Sequence, residues 1–317
     1  MIAQSEYKRN IDLFHSFWKI SMLPAHGRYD YSAITRRQSF TWPNGARLAV
    51  YLGVNLEHFA FAEGLGAELA PGGAHPDILN YAWRDYGNRV GAWRLIETLD
   101  RLKWPASVIA NSAIVSYAPA LLAAHIDRGD EIVGHGRTNS ERQSVLCEAD
   151  ERALIIEATD TLAGFCGGMA PSGWLSPWIA ESMTTPDLLA EAGYQYTLNW
   201  CMDDQPIWMR SRGGRLLAIP YPQEINDIPS IIARKNDADV FAAMIIDNFD
   251  EMREQAEYGP PLVMGIALHP YIIGQPYRLR HLRRALMHIG QNRERVWITR
   301  AGDINEACRA LPEGAIV

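Results

Sequence analysis

At 317 residues, with 48% hydrophobic and 21% charged residues and a formal net charge of −7, the chain has the composition of a folded globular protein. No cluster of Lys and Arg interleaves with aromatics, which excludes the electrostatic footprint of a nucleic-acid binder, and no apolar run approaches the ~20 residues of a membrane helix. The opening MIAQSEYKRNIDLFHSFWKI lacks the basic, apolar and small-residue order of a signal peptide, and Cys147, Cys166, Cys201 and Cys308 form no CxxC pair. Together these features predict a cytoplasmic protein in a reducing compartment, with neither membrane nor nucleic acid as partner.

In chain order, an N-terminal arm over 1–37 precedes a first strand at 48–54, where the barrel domain of 38–317 begins. HSFWKISML within the arm packs either on a neighbouring subunit or on the bottom of its own barrel. A helix at 91–102 (GAWRLIETLDRL) leads to a strand at 107–110. A helix at 118–128, closed by Gly129, leads to a strand at 131–134. The helix at 149–165 opens on acidic residues, as a helix N-terminus prefers. The next, at 186–192, takes Thr185 as its cap and Pro186 at its first position. Strands at 194–198 and 216–219 follow, then a helix at 238–257, a strand at 262–268, a helix at 279–289 and a last strand at 296–299. Strand and helix alternating at this spacing imply parallel pairing through right-handed crossovers.

Two architectures satisfy that alternation: an open doubly wound sheet and a (β/α) barrel. Neither GxGxxG after the first strand nor GxxxxGK[ST] anywhere is present, so the nucleotide-binding reason for an open sheet is missing. Polar residues collect where a barrel keeps its chemistry, at the C-terminal ends of strands. They are Asn55, Glu57 and His58, then Asn111, His135, Asn199, Asp203, Asp204, Glu224, Asn226, Asp227 and His269.

The ordered set GRYDYSAITRR, VNLEHF, DYGNRVGAWRL, GHGRTNSE, SGWLSPW, YTLNWCMDDQP, IPYPQEINDIP and ALHPYIIGQPYR resembles the polysaccharide deacetylase (NodB-homology) superfamily. Within it, the likeness is to the branch of the uric-acid-pathway allantoinase and related cyclic-amide hydrolases. The resemblance implies a distorted (β/α) barrel of about seven parallel strands, a homo-oligomer, and a hydrolase of carbon–nitrogen bonds other than peptides. In metal-dependent members, an Asp pair after the first strand supplies a base and a metal ligand, a His-xxx-His pair supplies two more ligands, and a late His is the general acid. Those positions fall here on Asn55 and Glu57, on His135 and Asn139, and on His269.

Two of these positions depart from the pattern. Asn55 cannot take a proton from water, and Asn139 is a poor zinc ligand beside imidazole. Only Glu57 and His135 are left to ligate an ion if one binds, His58 pointing to the opposite face of the strand from Glu57. The resulting expectation is a pocket that has lost its metal, with Glu57 as base of raised proton affinity, His269 as acid, and His135 holding the carbonyl or orienting water.

Asn55 and Asn139 suit a neutral, planar, hydrogen-bonding ligand, and Asn226 or Asp227 is expected to touch it, with Glu224 and Asp204 nearby. Arg89 is read as a clamp on a substrate carboxylate or oxyanion, or else as a tie between loop and rim. Trp174, Trp178, Trp200 and Trp208 cluster around the motif loops and are read as pocket walls, with core packing as the alternative. One of Asp203 and Asp204 caps the turn before Pro206. The preferred substrate is a small cyclic amide, ureide or imide. The rivals are a metal-dependent N-deacetylase of an amino sugar or small acetamide, and a non-catalytic barrel that only binds a small ligand.

Overall fold

The computed structural model describes residues 25–63, 66–70 and 75–317. Its sheet has nine strands: β1 (Leu48–Leu56), β2 (Ser107–Ala110), β3 (Glu131–Gly134), β4 (Gly173–Trp174), β5 (Tyr196–Thr197), β6 (Ile207–Ser211), β7 (Gly214–Ala218), β8 (Leu262–Leu268) and β9 (Trp297–Thr299). The order is β6-β7-β5-β4-β3-β2-β1-β8, with β9 beside the first half of β1. Every pairing is parallel except β6 with β7. The sheet curls into a half-barrel whose seam, between β8 and the β6–β7 hairpin, carries one bridge, Asn226 to Ala267. The expected barrel class holds.

Burial on both faces explains why β1 reads as the near-continuous apolar run LAVYLGVNL, all of it buried. Its even positions, Leu48, Val50, Leu52, Val54 and Leu56, join an outer core with Leu99, Phe241, Phe249 and Leu282 from the covering helices. Its odd positions, Ala49 and Tyr51, join an inner core with Ile109, Val133, Tyr196, Leu217 and Ala267. The side-chain period of two then carries the inward face on to Asn55 and Glu57. The same inward phase puts Asn111 past β2, His135 past β3 and His269 past β8.

The differences from the sequence expectation have local causes. The antiparallel β6 reads as loop because strand and helix alternate elsewhere, yet Arg212 and Gly213 close a tight hairpin there. β4 has two residues, too few to leave a pattern. The helix expected to be capped by Thr185 instead includes it, because its hydroxyl is committed to the buried Glu151 carboxylate. HSFWKISML lies outside the described residues. The described part of the arm, 25–37, is fastened to its own barrel, Arg28 gripping Asp187 at 2.7 and 2.8 Å and Arg37 gripping Asp203 at 2.7 and 2.6 Å.

DYGNRVGAWRL forms a π-helical turn, Gly87–Gly91, packed against the helical turn Pro270–Ile273 that follows His269. A Cβ on Gly87 would lie 2.8 Å from the Tyr271 backbone nitrogen, and one on Gly91 would overlap the Pro270 carbonyl. The two glycines let the backbones meet and so seat the end of β8. Gly91→Ala is therefore expected to cost about 1–3 kcal/mol, read by urea denaturation. A midpoint equal to that of the unsubstituted protein would show that the seat does not need this approach.

Candidate active site

The strand ends converge on one cavity of ≈ 130 Å³ whose polar wall includes Glu57, His135, Asn139, Asn226 and His269. Glu57 lies between the two imidazoles: its Oε1 is 3.7 Å from His135 Nε2 and 3.5 Å from His269 Nε2. The same oxygen accepts a 2.6 Å bond from Asn139 Nδ2, and Asn88 Nδ2 holds the Glu57 carbonyl at 2.8 Å. Turning the Asn139 amide over would set its oxygen against a carboxylate, so the amide nitrogen faces Glu57.

Each histidine is fixed through its Nδ1. His135 Nδ1 stands 2.6 Å from the Leu175 carbonyl, which can only accept; Nδ1 therefore carries a proton, and in the neutral tautomer the lone pair is on Nε2. His269 Nδ1 is 2.6 Å from Asp227 Oδ1, and its backbone N–H donates to Asp227 Oδ2 at 2.8 Å. Two polar atoms in the cavity, Glu57 Oε2 and His135 Nε2, are buried without any hydrogen-bond partner, and both accept when the His135 ring is neutral.

The electrostatics run against the expectation of a carboxyl with raised proton affinity. Burial does work against the Glu57 carboxylate, but His269 and then His135 outweigh it and hold the group down at about 2. Burial likewise opposes an imidazolium at His269, yet Asp227 and Glu57 push it up to about 10. At neutral pH the site is a carboxylate beside an imidazolium.

The cluster does not fit a catalytic zinc. Such a centre takes three protein ligands. Here the third position is an amide that presents its nitrogen to Glu57. Among the described residues, no group of three or more His, Cys, Asp or Glu side chains is placed to hold an ion. Nor does His58 turn towards the cavity: it stacks on Tyr117 at 4.5 Å.

Several residues expected at the ligand stand elsewhere. Arg89 projects outward, its side chain 71% exposed, 3.9 Å from Asp85 and beside the Tyr117 hydroxyl; the glycines of its motif, not its charge, serve the site. Trp174 is core, its ring against Tyr194 and its Nε1 on Gln143 and Ser176. Trp200 donates to Glu181 at 2.7 Å, a carboxyl that burial raises to about 7. Glu224 is exposed and paired with Arg234, and Asp204 lines a neighbouring cavity behind Tyr221. Asp203 is the turn cap, accepting from the Gln205 backbone at 2.9 Å. Asn55 lines the cavity, but its amide is spent on Tyr221 and the Leu268 carbonyl. Asp227 sits behind His269, while Asn226 reaches the wall.

Of the other wall residues, Trp178 was expected there and Tyr221 and Ile179 were not. Tyr221 continues the inward phase of Leu217 and Ile219, a signal the sequence carried. Trp178 and Ile179 have left-handed backbones, φ 64° and 55°, a costly choice for bulky side chains. Trp178 Nε1 anchors that turn on the Asn139 carbonyl at 2.9 Å.

No family model matches the chain. It is 26% identical over 299 residues to a Schizosaccharomyces pombe protein named as a polysaccharide deacetylase, covering 85% of this chain and 92% of that one. A crystal structure of PuuE allantoinase superposes with a TM-score of 0.75 at 26% identity, over 89% of this chain and 98% of the other. A Pseudomonas aeruginosa PAO1 structure named as a polysaccharide deacetylase gives 0.74 at 27% identity, over 86% and 94%. In fold and in these likenesses the chain is similar to proteins named as polysaccharide deacetylases and to the allantoinase, as the motifs led one to expect. The relatives' names are those of hydrolases of carbon–nitrogen bonds.

The two shifts act on stability with opposite signs. A raised imidazole pKa contributes stability that is complete below the ordinary value of ~6.5 and is lost as pH rises through about 10. The lowered Glu57 contributes stability present above its ordinary range and lost as pH falls towards about 2. In an NMR titration, His269 is expected to stay protonated through neutral pH, and Asp227→Asn to bring its pKa down sharply. An imidazole that titrates near ~6.5 in the unsubstituted protein would sink the charge assignment.

Proposed function

We propose that the chain is a cytoplasmic hydrolase that opens a small cyclic amide, ureide or imide, without a metal. The observation that carries this is the pair of bare buried acceptors, Glu57 Oε2 and His135 Nε2, facing an imidazolium in a cavity of ≈ 130 Å³. Drug-sized ligands fill pockets of roughly 300–1,000 Å³, so this one suits a single small ring better than a glycan chain. Free thiols at all four cysteines agree with a reducing compartment.

Two acceptors side by side call for a molecule with two donors, and water is the smallest. Held by Glu57 Oε2 and His135 Nε2, a water turns its lone pair outward, towards a ring carbonyl carbon. As the C–O bond forms, one water proton passes to His135 Nε2. Collapse of the tetrahedral intermediate breaks the C–N bond, and His269 Nε2–H supplies the proton that the leaving nitrogen needs.

His135 then carries the charge that His269 has given up. The Glu57 carboxylate, near both rings, stabilises either state, and proton return through it or through water resets the site. Asn139 keeps the carboxylate in place. Glu57 is thus an electrostatic bridge and water holder, a role better matched to its low pKa than that of sole base.

Hydantoin, allantoin, succinimide and an N-acetyl sugar form the test panel. Turnover of a ring substrate is expected, and it should survive exhaustive chelation. Activity that vanishes with chelator and returns with one equivalent of zinc would overturn the metal-free reading; turnover of the acetamide alone would favour the deacetylase rival. His135→Gln and Glu57→Gln are each expected to lower kcat by about 10²–10⁴-fold while ring binding persists. Undiminished kcat in His135→Gln would remove His135 as base. Binding throughout the panel without turnover would identify a ligand-binding barrel.

A further inference from the structure

A third polar atom on the cavity wall is buried without a partner, and unlike the other two it is a donor: the hydroxyl of Tyr271. The residue stands two positions beyond His269, on the turn Pro270–Ile273, and is 2% exposed. Its ring is fixed edge-on by Trp83 at 4.9 Å, His269 at 5.8 Å and Phe59 at 6.0 Å between centroids. Gly87 closes behind its backbone. That cage would hold phenylalanine equally well, so packing does not account for the oxygen.

Burial and then the Glu57 charge keep the phenol protonated, so it can only be served by an acceptor; the Glu57 carboxylate is the acceptor it faces, beyond full hydrogen-bond reach. In the complex proposed above, Glu57 Oε1 accepts from Asn139 and Oε2 from the water, so the carboxylate the phenol faces is engaged elsewhere. What remains in a hydrolytic site is the substrate's own oxygen.

The geometry points to Tyr271 as a catalytic residue whose O–H donates to the carbonyl oxygen of the scissile ring amide and holds the oxyanion formed when water adds. This rests on the hydrolase reading. It narrows the substrate to rings whose reacting carbonyl oxygen is unsubstituted and can be aimed at the floor formed by the end of β8. No proton need transfer: the phenol hydrogen stays on Tyr271 while charge gathers on the substrate oxygen and is released when the C–N bond breaks.

Tyr271→Phe removes the donor and leaves the ring. With whichever panel member turns over, kcat is expected to fall by about 10²–10³-fold with KM nearly unchanged, and the urea midpoint to hold or rise because an unpaired buried hydroxyl is gone. A merely structural role would instead lower the midpoint. Unchanged kcat in a folded Tyr271→Phe, with the unsubstituted protein active, overturns this assignment and spares the functional reading. A protein that binds hydantoin in calorimetry but turns nothing over overturns the hydrolase reading and the oxyanion role with it. A protein that neither binds nor turns over any of the panel overturns both.

Discussion

Everything at the site depends on a period of two. Along a strand, successive side chains face opposite ways, and β1 applies that rule over its whole length. Even residues feed the helix-facing core and odd residues the interior, so Asn55 and Glu57 point inward because Ala49 and Tyr51 do. A slip of one residue would send Glu57 to the helices and His58 to the cavity. The register with β8 and β2 prevents it, pairing Val54 with Leu268 and Leu56 with Ala110. It also sets Asn55 level with His269, and Glu57 level with Asn111 at the next strand end.

Placing a carboxylate there carries an energetic obligation. Glu57 and Asp227 are both buried and both acidic, a costly arrangement without a cation. His269 takes that part: Asp227 grips it from behind and Glu57 faces it from the front. Where the metal-dependent pattern of the superfamily calls for an ion among carboxylate and imidazoles, this chain has an imidazolium and the Asn139 amide. The substitutions at 55 and 139 are thus mutually consistent. One gives its amide to Tyr221 and the strand end, and the other ties the carboxylate down.

The motifs around the site divide into groups that touch the cavity and groups that hold the first in place. GHGRTNSE supplies His135 and Asn139 directly, while DYGNRVGAWRL works through two glycines that let its turn lie against Pro270 and Tyr271. SGWLSPW buries its first tryptophan and turns its second, through strained backbone, into the wall. The rigid parts are the strand ends. The seam of the half-barrel is closed by the bridge at Asn226 and by backbone hydrogen bonds from Val263 to Asp204 at 2.8 Å and from Ala267 to Ile225 at 3.0 Å.

The sequence by itself determined the alternation of strands and helices, the class of barrel and the strand ends on which polar residues fall, because apolar runs and their punctuation are local properties. The period of two also carried, unremarked, the inward placing of Tyr221. Tertiary structure alone decided which polar residues are used up among themselves. The exposed Arg89, the core Trp174 and the saturated Asn55 read from sequence like ligand contacts, since hydrogen-bond partners such as Leu268 and Tyr221 lie more than 160 residues away. It also decided the charges: a carboxylate at the end of a buried strand has a raised pKa in isolation, and only the His269–Asp227 pair, brought in from the far end of the chain, reverses the sign.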